Sequence, residues 1–559
     1  MKRIGLFIIG TLLLSESFAQ SPLSITVDVA AKQEKLNPLW AYFGYDEPNY
    51  TYMKDGKKLL SEIAAFSKRP VYVRAHNMLN TGDGEAALKW GSTNAYTEDS
   101  QGNPVYNWRI TDSIFDTYIQ RGMKPIAEIG FMPEALSTHP QPYRHHWKPG
   151  IAYDSVFTGW AYPPADYKKW GTLVYEWVKH CVERYGEAEV NSWYWEVWNE
   201  PNIGYWKGTP EEYNKLYDYA ADAVKRACPN TRIGGPTSTG PGWDKAETFL
   251  RNFLEHCATG VNAVTGKTGS PLDYISFHAK GSPKLVNGHV RMNMATQLND
   301  IIKGCNVVKN SAFKNLPVIL GECDPEGCAA CGMATNPENA YRNGTMYSSY
   351  TAASYARIYD IAKQTGVKIE GAVSWSFEFE NQPWFYGFRD LTTNGIDKPV
   401  LNVFRMYAMM KGDRVSTVNP GAILYDSIVK SSVHSEKRDI GSLAAADDSS
   451  ITVMLWNYHD DDLPAPSNKI NLSVQNLPAK KITALLYKID NAHSNAYEVW
   501  KKMGSPQQVS ADQYKQLEAA DQLHEETMKA HQKVTGGIYA VQLSLSAQGV
   551  YLIRLVYEK

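Results

Sequence analysis

Between about residue 40 and residue 410, short runs of β-branched and aromatic residues alternate with longer amphipathic runs, and eight such pairs fit in the interval. This alternation leaves few folds open. Apolar runs buried on both faces, each followed by a helix that covers them, build a parallel sheet wrapped by helices. The strand candidates are 40–43, 71–75, 125–130, 193–198, 232–235, 274–278, 318–321 and 372–377. The helical signal is clearest over 166–185, where Trp170, Val174, Trp177 and Cys181 recur at spacings of three or four before Gly186 stops the run. Eight units spread over this length predict a (β/α)8 TIM barrel with long loops rather than an open doubly wound sheet.

The character changes after about residue 411. Short alternating strands at 451–456, 470–474, 482–488 and 550–556, separated by polar or proline-containing turns, predict an appended β-sandwich. At 559 residues the chain exceeds the size at which one core keeps growing, so two units are expected. The boundaries read as a barrel over 37–410 and a sandwich over 411–559, with an N-terminal strand in 20–36 completing the sandwich from the other end of the chain. A helical patch at 511–529 reads as an insertion in the sandwich.

The amino terminus carries Lys2-Arg3, an apolar run from Ile4 to Leu14, and Ser17-Phe18-Ala19, which reads as a signal peptide over 1–19 cleaved after Ala19. No later stretch is apolar and long enough to span a bilayer, so a secreted or periplasmic protein without membrane insertion is expected. Seven cysteines in an exported chain allow up to three disulfides and one thiol, and the crowding of Cys323, Cys328 and Cys331 favours a loop disulfide over zinc. A formal net charge of −2, with both signs mixed throughout, excludes the basic footprint of a nucleic-acid partner. The 16 Trp and 35 Tyr supply flat faces with polar tips that suit sugars as well as core packing.

Cleaving a glycosidic bond takes one carboxylic acid to protonate the leaving oxygen and a second carboxylate across the sugar. In this fold such groups stand where strands run out at the carboxyl-terminal face. Glu200 follows strand four in Trp195-Glu196-Val197-Trp198-Asn199-Glu200-Pro201-Asn202, and Glu322 follows strand seven in Val318-Ile319-Leu320-Gly321-Glu322. Pro201 fixes the backbone after the acid. Trp193, Trp195 and Trp198 are expected to wall Glu200 with low-polarity surface and so raise its pKa.

These residues resemble glycoside hydrolase family 39, the β-xylosidases and α-L-iduronidases. The likeness runs through Tyr72-Val73-Arg74-Ala75-His76, residues 125–134, 194–202, Gly234-Gly235-Pro236, Asp273 to His278, 384–391 and Gly395-Ile396-Asp397-Lys398-Pro399. It implies Glu200 as acid/base, Asn199 as partner of the sugar 2-hydroxyl, and Glu322 as the nucleophile that forms a glycosyl-enzyme. Arg74, His76 and His278 would line the sugar subsite, Trp375 would lie beneath the ring, and one of Glu378 and Glu380, with Glu380 preferred, would hold a ring hydroxyl. Neither a metal nor an organic cofactor is implied.

Two departures bear on the substrate. The strand-six run is His278-Ala279-Lys280, with no aromatic residue two positions after the His, and Glu322 is followed by Cys323-Asp324-Pro325-Glu326-Gly327-Cys328. Lys280 is expected to be solvated, and in the alternative it meets a substrate carboxylate. The expectation is an exo-acting retaining β-xylosidase on an oligosaccharide or polysaccharide. The rivals are an iduronidase-like or arabinosidase-like enzyme on the same scaffold and a glycan-binding protein without catalysis.

Overall fold

A computed structural model of the chain describes residues 21–375 and 377–558, so the signal peptide expected at 1–19 lies outside the described residues. The barrel strands are Tyr42–Tyr45, Tyr72–Ala75, Lys124–Ile129, Tyr194–Val197, Arg232–Ser238, Tyr274–Lys280 and Val318–Asp324, with an eighth in two pieces, Ile369–Ala372 and Ser374–Trp375. All neighbours pair in parallel, and the split eighth strand closes the ring. Its first piece pairs with strand seven, and its second pairs with strand one through Ser374 to Phe43 and Trp375 to Gly44. Between the pieces, Val373 donates its N–H to Leu320 O at 2.9 Å and accepts from Cys323 N–H at 2.8 Å. The eighth strand therefore begins three residues before the expected 372–377.

One barrel helix shows how the sequence sets its amphipathic face and its ends. Tyr167–Tyr185 starts where the Asp166 side chain accepts from the Lys168 and Lys169 N–H groups and ends at Gly186, at φ 88°. Its buried stripe carries Trp170, Val174, Trp177 and Cys181. Trp177 meets Trp195 edge-on at 5.2 Å, and Trp193 meets Phe115 at 5.3 Å. Side chains alternate along a strand, so Trp193 and Trp195 face the helices while Glu196 points into the barrel. The two tryptophans do not wall the catalytic end, contrary to the expectation; Trp198 packs on Phe131, Trp170 and Trp206.

The second sheet also has nine strands. Leu23–Lys35 pairs antiparallel with Asp413–Val418 and parallel with Asn468–Gln475. Asp413–Val418 joins Asp439–Ala446 through only two residue pairs, and there the sheet folds over into a sandwich. Ile25, Val27, Ile470 and Leu472 from one half meet Val453, Leu455, Ile553 and Leu555 from the other in one cluster. Ser450–Tyr458 is buried throughout because it has work on both faces: Val453 and Leu455 fill the sandwich, while Met454, Trp456 and Tyr458 pack with the barrel core.

One expectation is corrected here, and the loop disulfide is found. The helix in the sandwich is Ala511–Asp521, closed by a Ser510 and Gln513 capping box, and His524–Lys533 is an edge strand on Lys481–Ile489. Its sequence, HEETMKAHQK, has no apolar period because its charged side chains guard an open edge. Of the seven cysteines, only Cys328 and Cys331 are bridged; Cys181, Cys228, Cys257, Cys305 and Cys323 are buried thiols that pack as small apolar groups. Among the described residues, no helix is long and apolar enough to cross a membrane.

Candidate active site

Strand four delivers Glu200 through a distorted backbone. Trp198 and Glu200 both have positive φ, 71° and 45°, a conformation that costs about 1–2 kcal/mol per non-glycine residue. The surroundings hold it. Trp198 N–H donates to Ile129 O at 3.2 Å, its indole N–H donates to Tyr205 O at 3.0 Å, and Glu200 N–H donates to Thr237 O at 2.9 Å. Glu322 faces the same space from within strand seven, two residues before its end at Asp324 rather than just past it as expected. One carboxylate oxygen of Glu200, one of Glu322 and a ring nitrogen of His278 all lie within 4.8 Å of one another. They meet at a cavity of about 260 Å³ lined also by Asp46, Lys89, Tyr153, Tyr205, Lys280 and the Glu326–Cys328 rim.

Five cationic or imidazole groups, Lys280, His278, Arg389, Arg74 and His76, surround the two carboxylates. Lys280 bridges them, with Nζ 3.2 Å from Glu200 Oε1 and 2.9 Å from Glu322 Oε2. His278 Nδ1 donates to Glu200 Oε1 at 2.8 Å, the tautomer that an ionised carboxylate requires. Arg389 Nη2 donates to Glu322 Oε2 at 3.1 Å, and Arg74 Nη1 stands 3.9 Å from Glu322 Oε1. Burial alone would push both acids upward. Lys280 and His278 outweigh it at Glu200 and hold it at about 2, and Lys280, His278 and Arg389 hold Glu322 well below the usual carboxylate range. This reverses the expectation of a raised Glu200, because the charges beside it count for more than its burial. The Lys280 side chain is 23% exposed, so its ammonium opens on the cavity.

A layer beneath fixes this geometry. Arg74, fully buried, donates through Nε to Glu196 and through Nη2 to Asn199 Oδ1 at 3.0 Å, with Glu128 Oε2 at 3.1 Å. Asn199 Nδ2 is left buried without a hydrogen-bond partner, a donor available beside Glu200. His76 stands between Asp46, at 3.1 Å, and Glu128, at 3.3 Å; burial lowers it to about 4, with the Arg74 charge adding and Asp46 opposing. Arg74 and the two histidines therefore are a buried ion network and part of the catalytic end at once.

Two carboxylates lining one small cavity are what a glycosidase needs, and comparison with known proteins agrees with that chemistry. The profile of glycosyl hydrolases family 39 matches residues 23–537. The chain belongs to glycosyl hydrolase family 39. It is a glycosidase. A beta-xylosidase of Caldicellulosiruptor saccharolyticus is 25% identical over 533 residues, 92% of this chain and 94% of that one. An alpha-L-iduronidase of Mus musculus is 23% identical over 532 residues, 90% of this chain and 76% of that one. The crystal structure of a monomeric beta-xylosidase from Caulobacter crescentus CB15 superimposes with a TM-score of 0.74 at 22% identity, covering 96% of this chain and 100% of that one, a likeness of fold.

Within this family 39 chain, Arg74, His76, Asn199, Glu200, His278 and Glu322 gather at one end of the barrel. Trp375 is nearby but does not line the cavity. Its ring packs on His76 at 4.4 Å, with the Arg74 and Arg389 guanidinium carbons 5.2 and 5.9 Å from it, and a Cβ on Gly44 would lie 2.5 Å from the indole. Glu380 stands apart from the cluster: it accepts from Asp55 N–H at 2.9 Å at the start of helix Lys54–Ala65. Glu378 is buried against Thr392 and Asn394 N–H and rises to about 8 through burial.

Sequence reasoning missed Asp46, Lys89, Tyr153, Tyr205 and Arg389. Asp46 directly follows strand one, the same strand-end signal that singled out Glu200, and it pairs with Lys89. Arg389 lies inside a quoted motif, yet only the closed barrel brings it to Glu322. Asp324, read as a loop residue, ends strand seven; it accepts Trp375 N–H at 2.9 Å and faces Arg389 at 3.2 Å, so it braces the surroundings of Glu322.

Proposed function

We propose that the protein is an exo-acting retaining glycosidase with Glu200 as acid/base and Glu322 as nucleophile. The approach of their carboxylate oxygens to within 4.8 Å carries the reading. Double displacement takes carboxyl groups about 5–5.5 Å apart, whereas inversion takes about 6.5–9.5 Å to fit a water. Glu322 attacks the anomeric carbon while Glu200 gives its proton to the glycosidic oxygen. Water, activated by Glu200, then releases the sugar from Glu322 with its anomeric configuration kept. The free Asn199 Nδ2 is the donor for the sugar 2-hydroxyl. A cavity of about 260 Å³ suits one terminal ring. Export through residues 1–19 belongs to the same reading and places the substrate outside the cytoplasm.

The sugar is read in two ways. The beta-xylosidase relatives point to terminal xylose. Lys280 favours a terminal uronic acid, because its ammonium now holds Glu200 ionised, and an acid catalyst has to carry a proton. A substrate carboxylate that draws Lys280 away frees Glu200 to take one. Hydrolysis of aryl β-xyloside and aryl α-L-iduronide, with NMR of the sugar first released, tests both levels. Retention with turnover of either substrate supports the mechanism; an inverted product overturns it. A loss beyond 100-fold on the iduronide alone in Lys280→Met selects the acidic sugar, and equal loss on both rejects it.

A further inference from the structure

Of the aromatic side chains among the described residues, Trp243 alone is exposed, at 51%. Its position is not incidental to the catalytic end. It lies in the loop that leaves strand five, Arg232–Ser238, at the carboxyl end of the barrel, and it immediately precedes helix Asp244–Thr259.

That loop is tied to the segments that carry both Glu200 and Lys280. Thr237 O accepts the Glu200 N–H at 2.9 Å. Thr239 N–H donates to Asn202 Oδ1 at 3.0 Å, and Asn202 Nδ2 donates back to Thr239 Oγ1 at 2.7 Å. Gly242 N–H donates to Asp300 Oδ1 at 2.8 Å, and the other oxygen of Asp300 accepts the Lys280 N–H at 3.3 Å. The backbone beneath the indole is therefore fixed on both sides. Six chain steps lead from Thr237 to Trp243, a reach of at most about 21 Å.

A cavity that takes one ring leaves the rest of an oligosaccharide outside it. The leaving part departs on the side of the group that protonates the glycosidic oxygen, and strand five lies directly beside Glu200. A water-exposed indole on this fixed backbone offers a flat apolar face to the C–H face of a sugar and an N–H at its edge. Lys245 Nζ, 5.6 Å from the ring centroid, adds a hydrogen-bond donor at the same place. We infer that Trp243 is a stacking platform for the leaving-group portion of an oligosaccharide substrate, a binding site beyond the bond that is cut. The side of departure rests on the proposed roles of Glu200 and Glu322.

Calorimetric titration of the Glu322→Gln protein with xylo-oligosaccharides of two to six units, plain and glucuronic-acid-substituted, tests this without turnover. Expected is a three- to tenfold loss of affinity for the longer oligosaccharides on adding Trp243→Ala, and a smaller loss for the shortest. Leu424→Ala, at an exposed apolar position outside the barrel, should leave all affinities unchanged. In the active protein, Trp243→Ala should raise KM for the long substrates with kcat within twofold. Undiminished affinity in Trp243→Ala, equal loss at every length, or no binding of any oligosaccharide in the panel overturns the inference. Inverted product or an inactive unmutated protein instead sinks the catalytic reading, and the titration separates the two failures.

Discussion

The sandwich and the catalytic end of the barrel fill their interiors with opposite materials. Between the sandwich halves lie Ile25, Val27, Leu472, Val453, Leu455 and Ile553. At the barrel end, Arg74, Glu128, Glu196, Glu322 and Arg389 are each no more than 3% exposed. Aliphatic burial contributes about 25 cal/mol per Å² and tolerates modest change. A buried charge is stable only while its partners remain, and its net contribution to stability is small. The contrast teaches that the sandwich supports the fold, whereas the barrel end is arranged for the charges of a reaction and is vulnerable wherever one partner is lost.

Substitutions can break or sharpen that contrast. The largest effect is expected at Glu322: Glu322→Gln should lower hydrolysis about 10⁴-fold or more, read as initial rates, while thermal unfolding remains cooperative. Next, Arg74→Met strands Glu128 and Glu196 without their cation and should cost about 3–5 kcal/mol by denaturant unfolding, together with most activity. Leu455→Ala in the sandwich should cost about 2–5 kcal/mol yet leave the rate per folded molecule unchanged. Equal losses of activity in these two variants would erase the distinction between the regions.

A smaller effect is expected in pH dependence. Removing the Lys280 ammonium takes away the largest influence holding Glu200 at about 2, so its pKa rises in Lys280→Met. The protonated acid then persists to higher pH, and the basic limb of kcat/KM on a neutral aryl xyloside should move upward. A downward shift would contradict the assigned charges. The smallest effect is expected at Glu380: Glu380→Gln weakens the bond to Asp55 N–H and should cost below about 1 kcal/mol, with substrate affinity unchanged.

The same contrast governs what could be read from the chain alone. The barrel strands and the sandwich strands near 451–456, 470–474 and 550–556 were legible because burial on a pleated surface imposes a period, or a run, on apolar residues. His524–Lys533 was not, because an exposed, charged edge carries no such period. Glu200 and Glu322 stood out because each comes at the end of an apolar run, Tyr194 to Trp198 and Val318 to Gly321. Lys280 was legible as an unusual residue but not as a bridge between two carboxylates, since the distances of 3.2 and 2.9 Å exist only once strands four, six and seven stand side by side. Glu380 fell on the wrong side of the question because alternation along a strand decides facing, and the eighth strand ends at Trp375, before that residue.

The central claim is that Glu322 bonds to the sugar while Glu200 moves the proton. Incubation with a 2-deoxy-2-fluoro aryl glycoside of the accepted sugar, followed by peptide mass spectrometry, tests it most directly. The account predicts one fluoroglycosyl group esterified to Glu322 and none in Glu322→Gln. Turnover of the parent glycoside with no adduct, or with the adduct on another carboxylate, would contradict it.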